Sequence, residues 1–200
     1  HTDTVTGSTT YDYRIYSYHG TNGNSAYDTD SLTTPPIAPS DFSANAASDT
    51  QINLTWTDNS SDETGFKIER SDNGGATWTP VATKTADATT HTDTVTGSTT
   101  YDYRIYSYNG NGNSAYDTAN VTTPPKAPTG LTATEVSETE IKLKWTDNST
   151  DENEFIIERS PPVSWSQIDT KSGTATTGTI TYNDTGLVCS ETYHYRVKAR

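Results

Sequence analysis

The chain has 200 residues, with 26 Asp and Glu against 13 Lys and Arg and a formal net charge of −13. That surplus of carboxylates argues against nucleic acid or an anionic membrane surface as a partner, since both call for a basic patch. No apolar run approaches the ~20 residues that span a bilayer, so no membrane insertion is expected, and a single cysteine leaves neither an intramolecular disulfide framework nor a CxxC metal site.

Apolar residues make up only 30% of the chain, a level that formally suggests disorder. They are not scattered, however. They recur at every second position and are joined by 13 Tyr and 4 Trp, whose rings supply the buried area that the aliphatic residues lack. There is no Met, so the first residue is not expected to be a translation start.

Residues 1–34 read as the last part of a repeat. Thr2 to Val5 is expected to be a short polar strand. The stretch Tyr11 to Tyr18 alternates large residues: Tyr11, Tyr13 and Ile15 fall on one face, and Asp12, Arg14, Tyr16 and Tyr18 on the other. Gly20 to Gly23 is a turn, and Ser25 to Thr34 a closing strand. Pro35, Pro36 and Pro39 then mark a linker that favours an extended, fairly stiff conformation.

Residues 37–124 read as a whole repeat. Ile52, Leu54 and Trp56 alternate with Asn53 and Thr55, as a half-buried strand does. The acidic loop Asp58 to Glu63 follows, then a strand with Phe66 and Ile68 inward and Lys67 and Glu69 outward. Asp72-Asn73-Gly74-Gly75 is a hairpin turn signal. Strands are expected over Trp78 to Lys84, Thr90 to Val95, Tyr101 to Tyr108 and Ser114 to Thr123, and Tyr101 to Tyr108 copies Tyr11 to Tyr18 letter for letter. Thr122 to Pro128 nearly copies the first linker. Residues 127–200 repeat the pattern, with Trp145 standing 89 positions after Trp56, and they stop inside the Tyr193 strand.

These motifs resemble those of fibronectin type III domains, in the version common in bacterial extracellular proteins. The markers are the inward Trp56 and Trp145, the phrase Trp-Thr-Asp-Asn-Ser leading to Phe-x-Ile-Glu-Arg-Ser at Phe66 and Phe155, and an apolar residue six positions before Tyr11, Tyr101 and Tyr193. The resemblance implies an all-β fold of tandem seven-stranded antiparallel β-sandwiches, immunoglobulin-like, with the first and last units incomplete. It also implies a tyrosine corner at each of those three Tyr residues, with the hydroxyl bonded back to backbone. In this topology the Phe66 strand lies beside the Tyr101 strand, which sets Glu69 against Arg104 and Glu158 against Arg196 as exposed cross-strand ion pairs.

Two groups of residues are candidate sites. Asp58, Asp62 and Glu63, and the matching loop Asp147 to Glu152, offer carboxylate and amide oxygens of the kind Ca²⁺ takes; they equally suit a turn whose Asp and Asn bond their own backbone. Tyr16, Tyr18, Tyr106 and Tyr108 are expected to form an outward aromatic strip beside Arg14 or Arg104, suited to protein or sugar contacts or simply to a solvated sheet face. The third repeat has Lys198 and Arg200 in that place. Cys189 reads as a small buried or edge residue. His1 and His91 align with Tyr182 and read as edge or core-lining residues. No Ser-His-Asp grouping can be assembled, so no catalytic residue and no enzyme activity is expected.

The expected role is therefore that of a non-enzymatic extracellular or cell-surface repeat protein: part of a filament, a sheath or an adhesin stalk. Its expected partners are further repeats of the same chain or other copies of itself, with a cell-surface protein or glycan as another partner class. The alternatives are an accessory region of a larger secreted hydrolase and a sugar- or protein-binding module. No cofactor is expected beyond Ca²⁺ at the acidic loop. The partial outer repeats read as a window on a longer repetitive chain, or as pieces completed by strand exchange with neighbouring copies.

Overall fold

A computed structural model of the protein describes residues 1–160 and 164–200. The described residues contain strands and turns and no helix. Contacts divide the chain into two compact units. His1–Asn45, Asn53–Asp93 and Tyr101–Val121 form the first; Ala46–Ile52, Thr94–Thr100 and Thr122–Arg200 form the second.

The first unit opens with β1 (Thr10–Ile15), β2 (Tyr18–His19), β3 (Gly23–Asn24) and β4 (Asp28–Thr33). β1 and β4 pair antiparallel, with Tyr11 opposite Leu32 and Tyr13 opposite Asp30. The strand expected over Thr2 to Val5 does not form. Its letters recur at Thr92 to Val95, where a neighbouring strand offers a ladder; residues 1–34 provide none, and an unpaired short strand has little to hold it. For the same reason Tyr13 and Ile15 are 43% and 72% exposed, while their counterparts Tyr103 and Ile105 are fully buried.

The middle repeat contains β5 (Ser40–Ser48), β6 (Gln51–Thr57), β7 (Gly65–Ser71), β8 (Thr79–Thr85), β9 (Thr90–Thr94), β10 (Thr100–Asn109), the two-residue β11 (Gly112–Asn113) and β12 (Asp117–Thr122). One sheet runs β5-β6-β9; the other runs β8-β7-β10-β11, with β12 also on β10. The period-two pattern decides which side chains meet. Leu54, Phe66, Ile68, Tyr103 and Ile105 are fully buried, each worth about 1.5–3 kcal/mol of burial. Trp56 lies between Phe42 and Phe66, with ring centroids at 6.4 and 5.6 Å.

The register of β7 on β10 sets Arg104 opposite Glu69, as the resemblance implies, and Arg104 Nε donates to Glu69 Oε2 at 2.6 Å. The pair is not the exposed one expected. The Arg104 guanidinium lies 4.3 Å from both the Trp78 and the Tyr116 rings, so stacking on aromatic faces adds to the ion pair.

One charged cluster faces the core. Arg70 Nη1 donates to Asp93 Oδ2 at 2.6 Å, and the buried Tyr103 hydroxyl donates to the same oxygen at 2.8 Å. The desolvated phenol, bonded to a carboxylate, is held well above its ordinary pKa of 10.0.

The second unit includes β13 (Thr129–Ser137), β14 (Glu140–Asp147), β15 (Glu154–Ser160), β16 (Ser166–Ser172), β17 (Gly178–Thr185) and β18 (His194–Ala199), arranged as sheets β13-β14-β17 and β16-β15-β18. Leu143, Trp145, Phe155, Ile157 and Ile180 form its core. Arg159, Asp184 and Tyr195 repeat the cluster of Arg70, Asp93 and Tyr103, with Arg159 Nη1 at 2.9 Å and the Tyr195 hydroxyl at 2.8 Å from Asp184 Oδ2. Arg196 Nε meets Glu158 Oε2 at 2.5 Å, as expected.

The expected tyrosine corner forms at Tyr11 and at Tyr193. The Thr6 N–H donates to the Tyr11 hydroxyl at 2.9 Å, and the Val188 N–H to the Tyr193 hydroxyl at 3.0 Å. Cys189, expected to pack as a small hydrophobe, lies exposed in the turn after β17.

Candidate functional site

The chain twice builds the same polar junction where one repeat passes into the next. Each junction draws on three sequence elements: Gly-Ser-Thr-Thr ahead of the tyrosine corner, the Thr-Pro-Pro-x-Ala-Pro linker, and the Asp-Asn-Ser-x-Asp loop of the following repeat. The first junction lies wholly within the first compact unit and the second wholly within the second.

At the first, Ser8 Oγ donates to Asp62 Oδ1 at 2.6 Å and lies 2.9 Å from Ser60 Oγ. At the second, Ser98 Oγ donates to Asp151 Oδ1 at 2.7 Å and lies 2.6 Å from Ser149 Oγ. Proline cannot donate a backbone N–H, so after Thr34 and Thr123 the next linker donor is the residue that follows the Pro-Pro pair. The Ile37 N–H is shared between Ser8 Oγ and Ser60 Oγ at 3.2 Å each, and the Lys126 N–H between Ser98 Oγ and Ser149 Oγ at 3.3 and 3.1 Å. The linker carbonyls are held as well. Pro35 O accepts from the Ser8 N–H at 2.8 Å and Pro124 O from the Ser98 N–H at 2.9 Å. Asn59 Nδ2 reaches Ala38 O at 2.9 Å, and Asn148 Nδ2 reaches Ala127 O at 2.8 Å.

The backbone is bent to make this arrangement. Ser8 and Ser98 take φ of 55° and 61°, a left-handed conformation that costs a non-glycine residue about 1–2 kcal/mol and persists where surrounding contacts over-determine it. The preceding glycine leaves little room for a side chain. A Cβ on Gly97 would sit 3.0 Å from Asp49 Cβ and Lys126 Cγ, and one on Gly7 3.2 Å from Pro35 O. In the third repeat the corresponding pair is Cys189-Ser190, and Ser190 keeps the left-handed φ at 67°.

Hydrogen bonds from Ser8 and then Ser60 hold the Asp62 carboxyl below its ordinary pKa, and Ser98 chiefly does the same for Asp151. A depressed carboxyl pKa means that this stabilisation is present above the unfolded-state value and is lost as pH falls through the folded-state value. The junction is therefore intact near neutral pH and weakened by acid.

Of the acidic-loop candidates, Asp62 is committed to the junction, where its Oδ2 also accepts from Asn109 Nδ2 at 3.2 Å. It is not among the carboxylates that come together; the hydroxyls of Ser8 and Ser60 both donate to its Oδ1. Asp58 and Glu63 do come together, and Asp87 from the loop between β8 and β9 joins them.

The aromatic strip forms only in part. Tyr16 and Tyr18 are 46% and 74% exposed, but Tyr106 is only 8% exposed. The segment leading into β12 lays Tyr116 over the outer face, with its ring edge-on to Tyr106 at 5.1 Å. Lys67 Nζ caps the Tyr108 ring at 4.8 Å. Alternation alone did not reveal this second layer, although Tyr116 stood in the sequence as a large ring ahead of the last strand.

A model of the fibronectin type III domain family matches residues 37–123. Residues 37–123 are a fibronectin type III domain. The strand motifs of this domain recur on both sides of it, in β1 and in β14, β15 and β18. In an alignment 187 positions long that covers 84% of this chain and 15% of the relative, the chain is 30% identical to Exoglucanase B of Cellulomonas fimi. Among solved structures, a segment of two fibronectin type III domains from chicken tenascin is 16% identical, with a TM-score of 0.49 over 81% of this chain and 90% of that one. The FN1–FN3 domains of chicken CNTN1 are 18% identical, with a TM-score of 0.42 over 96% and 71% of the two chains.

Proposed function

We propose that this chain is a non-catalytic spacer of an extracellular protein, whose work is to hold successive fibronectin type III repeats in a set arrangement. The observation that carries this reading is the junction. The same serine–serine–aspartate cluster, the same shared linker N–H and the same asparagine–carbonyl bond occur at both linkers. A linker that served only as a flexible tether would need none of these contacts. The Pro-Pro pairs remove backbone freedom in advance, and the net charge of −13 keeps the surface solvated and self-repelling.

Two settings suit such a spacer. One is a filament, sheath or adhesin stalk built of further copies of the repeat. The other is the accessory region of a secreted hydrolase, which the 30% identity to a protein named as an exoglucanase favours. In neither setting does the chain itself carry the chemistry or the main binding.

Incubation of the 200-residue chain with crystalline cellulose and soluble cello-oligosaccharides tests this directly. A spacer is left in the supernatant and releases no reducing sugar. Retention on the solid would make the chain a carbohydrate-binding module, with the exposed Tyr16 and Tyr18 as the first residues to replace. Released sugar would end the non-catalytic reading.

A further inference from the structure

The middle repeat gathers three carboxylates outside its ion pairs, although Asp58 Oδ1 also accepts the Ser60 N–H at 3.0 Å. Asp58 follows β6, Glu63 precedes β7 and Asp87 lies between β8 and β9; their carboxylate oxygens lie within 4.8 Å of one another. Two oxygens bound to one Ca²⁺ at 2.3–2.6 Å are at most about 5 Å apart, so the spacing fits a shared ion without rearrangement. None of the ion pairs described above reaches these groups: their arginines are committed to Asp93, Glu69, Asp184 and Glu158.

A second observation points to a ligand. Glu63 is only 8% exposed, and its Oε2 is buried with no hydrogen-bond partner. Its other oxygen, Oε1, accepts the Asp87 N–H at 3.3 Å, which ties the carboxylate into the cluster. A buried, unpartnered carboxylate oxygen is costly unless it is protonated or meets a cation.

The third repeat is a natural comparison. Glu152 Oε1 accepts the Thr174 N–H at 3.0 Å, so Thr174 stands where Asp87 stands. Its hydroxyl lies 3.1 Å from Asp147 Oδ2 and 2.6 Å from Thr176 O. There a neutral hydroxyl stands in place of the third carboxylate, and only two carboxylates remain. Glu152 Oε2 is unpartnered, as Glu63 Oε2 is, so the two loops differ chiefly in the third group.

We propose that Asp58, Glu63 and Asp87 form a calcium site in the middle repeat, and that Thr174 removes the corresponding site from the third. Hard oxygen donors from two loops, Asp58 and Glu63 between β6 and β7 and Asp87 between β8 and β9, suit the large, adaptable coordination shell of Ca²⁺ better than the rigid octahedron of Mg²⁺. The remaining positions of the shell fall to water and loop carbonyls. Affinity belongs in the range of extracellular modules, about 10⁻⁴–10⁻³ M. The ion would pin the loop after β6 to the loop between β8 and β9.

Calorimetric titration of the 200-residue chain with CaCl₂, paired with melting curves in CaCl₂ and in EGTA, tests the site. The expected result is one ion per chain and a melting temperature that rises with Ca²⁺ and falls back with chelator. Asp87→Thr abolishes both responses. Asp87 is exposed but takes a left-handed φ of 61°, where a β-branched Thr is strained, so circular dichroism and the melting curve in EGTA check that the variant folds. Asp87→Asn, which tolerates that φ, is expected to weaken both responses as well. Thr174→Asp adds a second ion. The proposal is overturned by a melting curve indifferent to Ca²⁺ and EGTA, by an Asp87→Thr protein that binds as before, or by an equal response to MgCl₂.

Discussion

Asp93→Ala is expected to cost the middle repeat about 3 kcal/mol, because it breaks a largely buried ion pair and removes the carboxylate that two donors share. Asp93 Oδ2 accepts from both Arg70 Nη1 and the Tyr103 hydroxyl. The aspartate side chain is 10% exposed, the arginine side chain 27%, and Tyr103 is fully buried. Truncation takes the charged acceptor away from the buried phenol and leaves the guanidinium, 27% exposed, without its carboxylate partner Asp93. Asp93→Asn, which keeps an acceptor and loses the charge, should cost less. Urea denaturation of the three proteins, followed by circular dichroism, gives the comparison.

The same cluster predicts an alkaline limit. Burial first, and then the hydrogen bonds to Asp93 and Asp184, raise the folded-state pKa of Tyr103 and Tyr195 above the unfolded value of 10.0. A group that holds its proton more tightly when folded stabilises the fold fully below its unfolded pKa and loses that contribution as pH rises through the folded value. Stability should therefore fall progressively above about pH 10. Tyr103→Phe should make the alkaline fall less steep while lowering stability at neutral pH. An equally steep fall in that variant would show that the phenol is not responsible.

Trp145→Ala is the second large effect, with an expected loss of about 3–5 kcal/mol. Trp145 is 1% exposed and sits at the centre of Leu143, Phe155, Ile157 and Ile180, with its ring 5.7 Å from that of Phe155. The core of this repeat is small, so a cavity of indole size has few neighbours to collapse into it. A loss of that size is a large fraction of the ~5–15 kcal/mol that stabilises a typical domain. Trp145→Phe should be far milder. It keeps a ring in the core and removes Nε1, a buried donor with no partner. Hydrogen exchange separates local from global effects: amides of Glu154–Ser160 should lose protection in Trp145→Ala, and amides of Gly65–Ser71 should keep it.

Most of the fold was legible because the residues alternate with period two and three copies of one strand can be compared. Trp56, Phe66, Ile68 and Tyr103 are buried where alternation places them, and Arg104 meets Glu69 because the strand order implied by the resemblance is the one observed. What alternation misses are contacts made by loops. Tyr106 is on the outward face, as its parity requires, yet it is covered because Tyr116 folds back from another segment. Asp62 looked like a partner of Asp58 and Glu63 by proximity in sequence; a serine 54 positions earlier takes it instead. Asp87 joins the acidic group from a loop with no sequence proximity to it. Two signals were available and unread. Arg70 stands at an inward position of its strand, where a charge requires a partner, and Asp93 supplies one. Gly-Ser-Thr-Thr recurs unchanged at residues 7–10 and 97–100 beside a recurring Asp-Asn-Ser loop, which is what a shared junction looks like before folding.

The claim that the repeats are held through their junctions is tested most directly by a distance measurement across the second one. Thr50→Cys and Thr134→Cys, made in a Cys189→Ser background, place spin labels at exposed positions within the second compact unit. Double electron–electron resonance should give a single narrow distance distribution. Adding Ser98→Ala and Asp151→Ala should broaden it while circular dichroism stays unchanged. A broad distribution in the parent, indifferent to those two substitutions, would contradict the account.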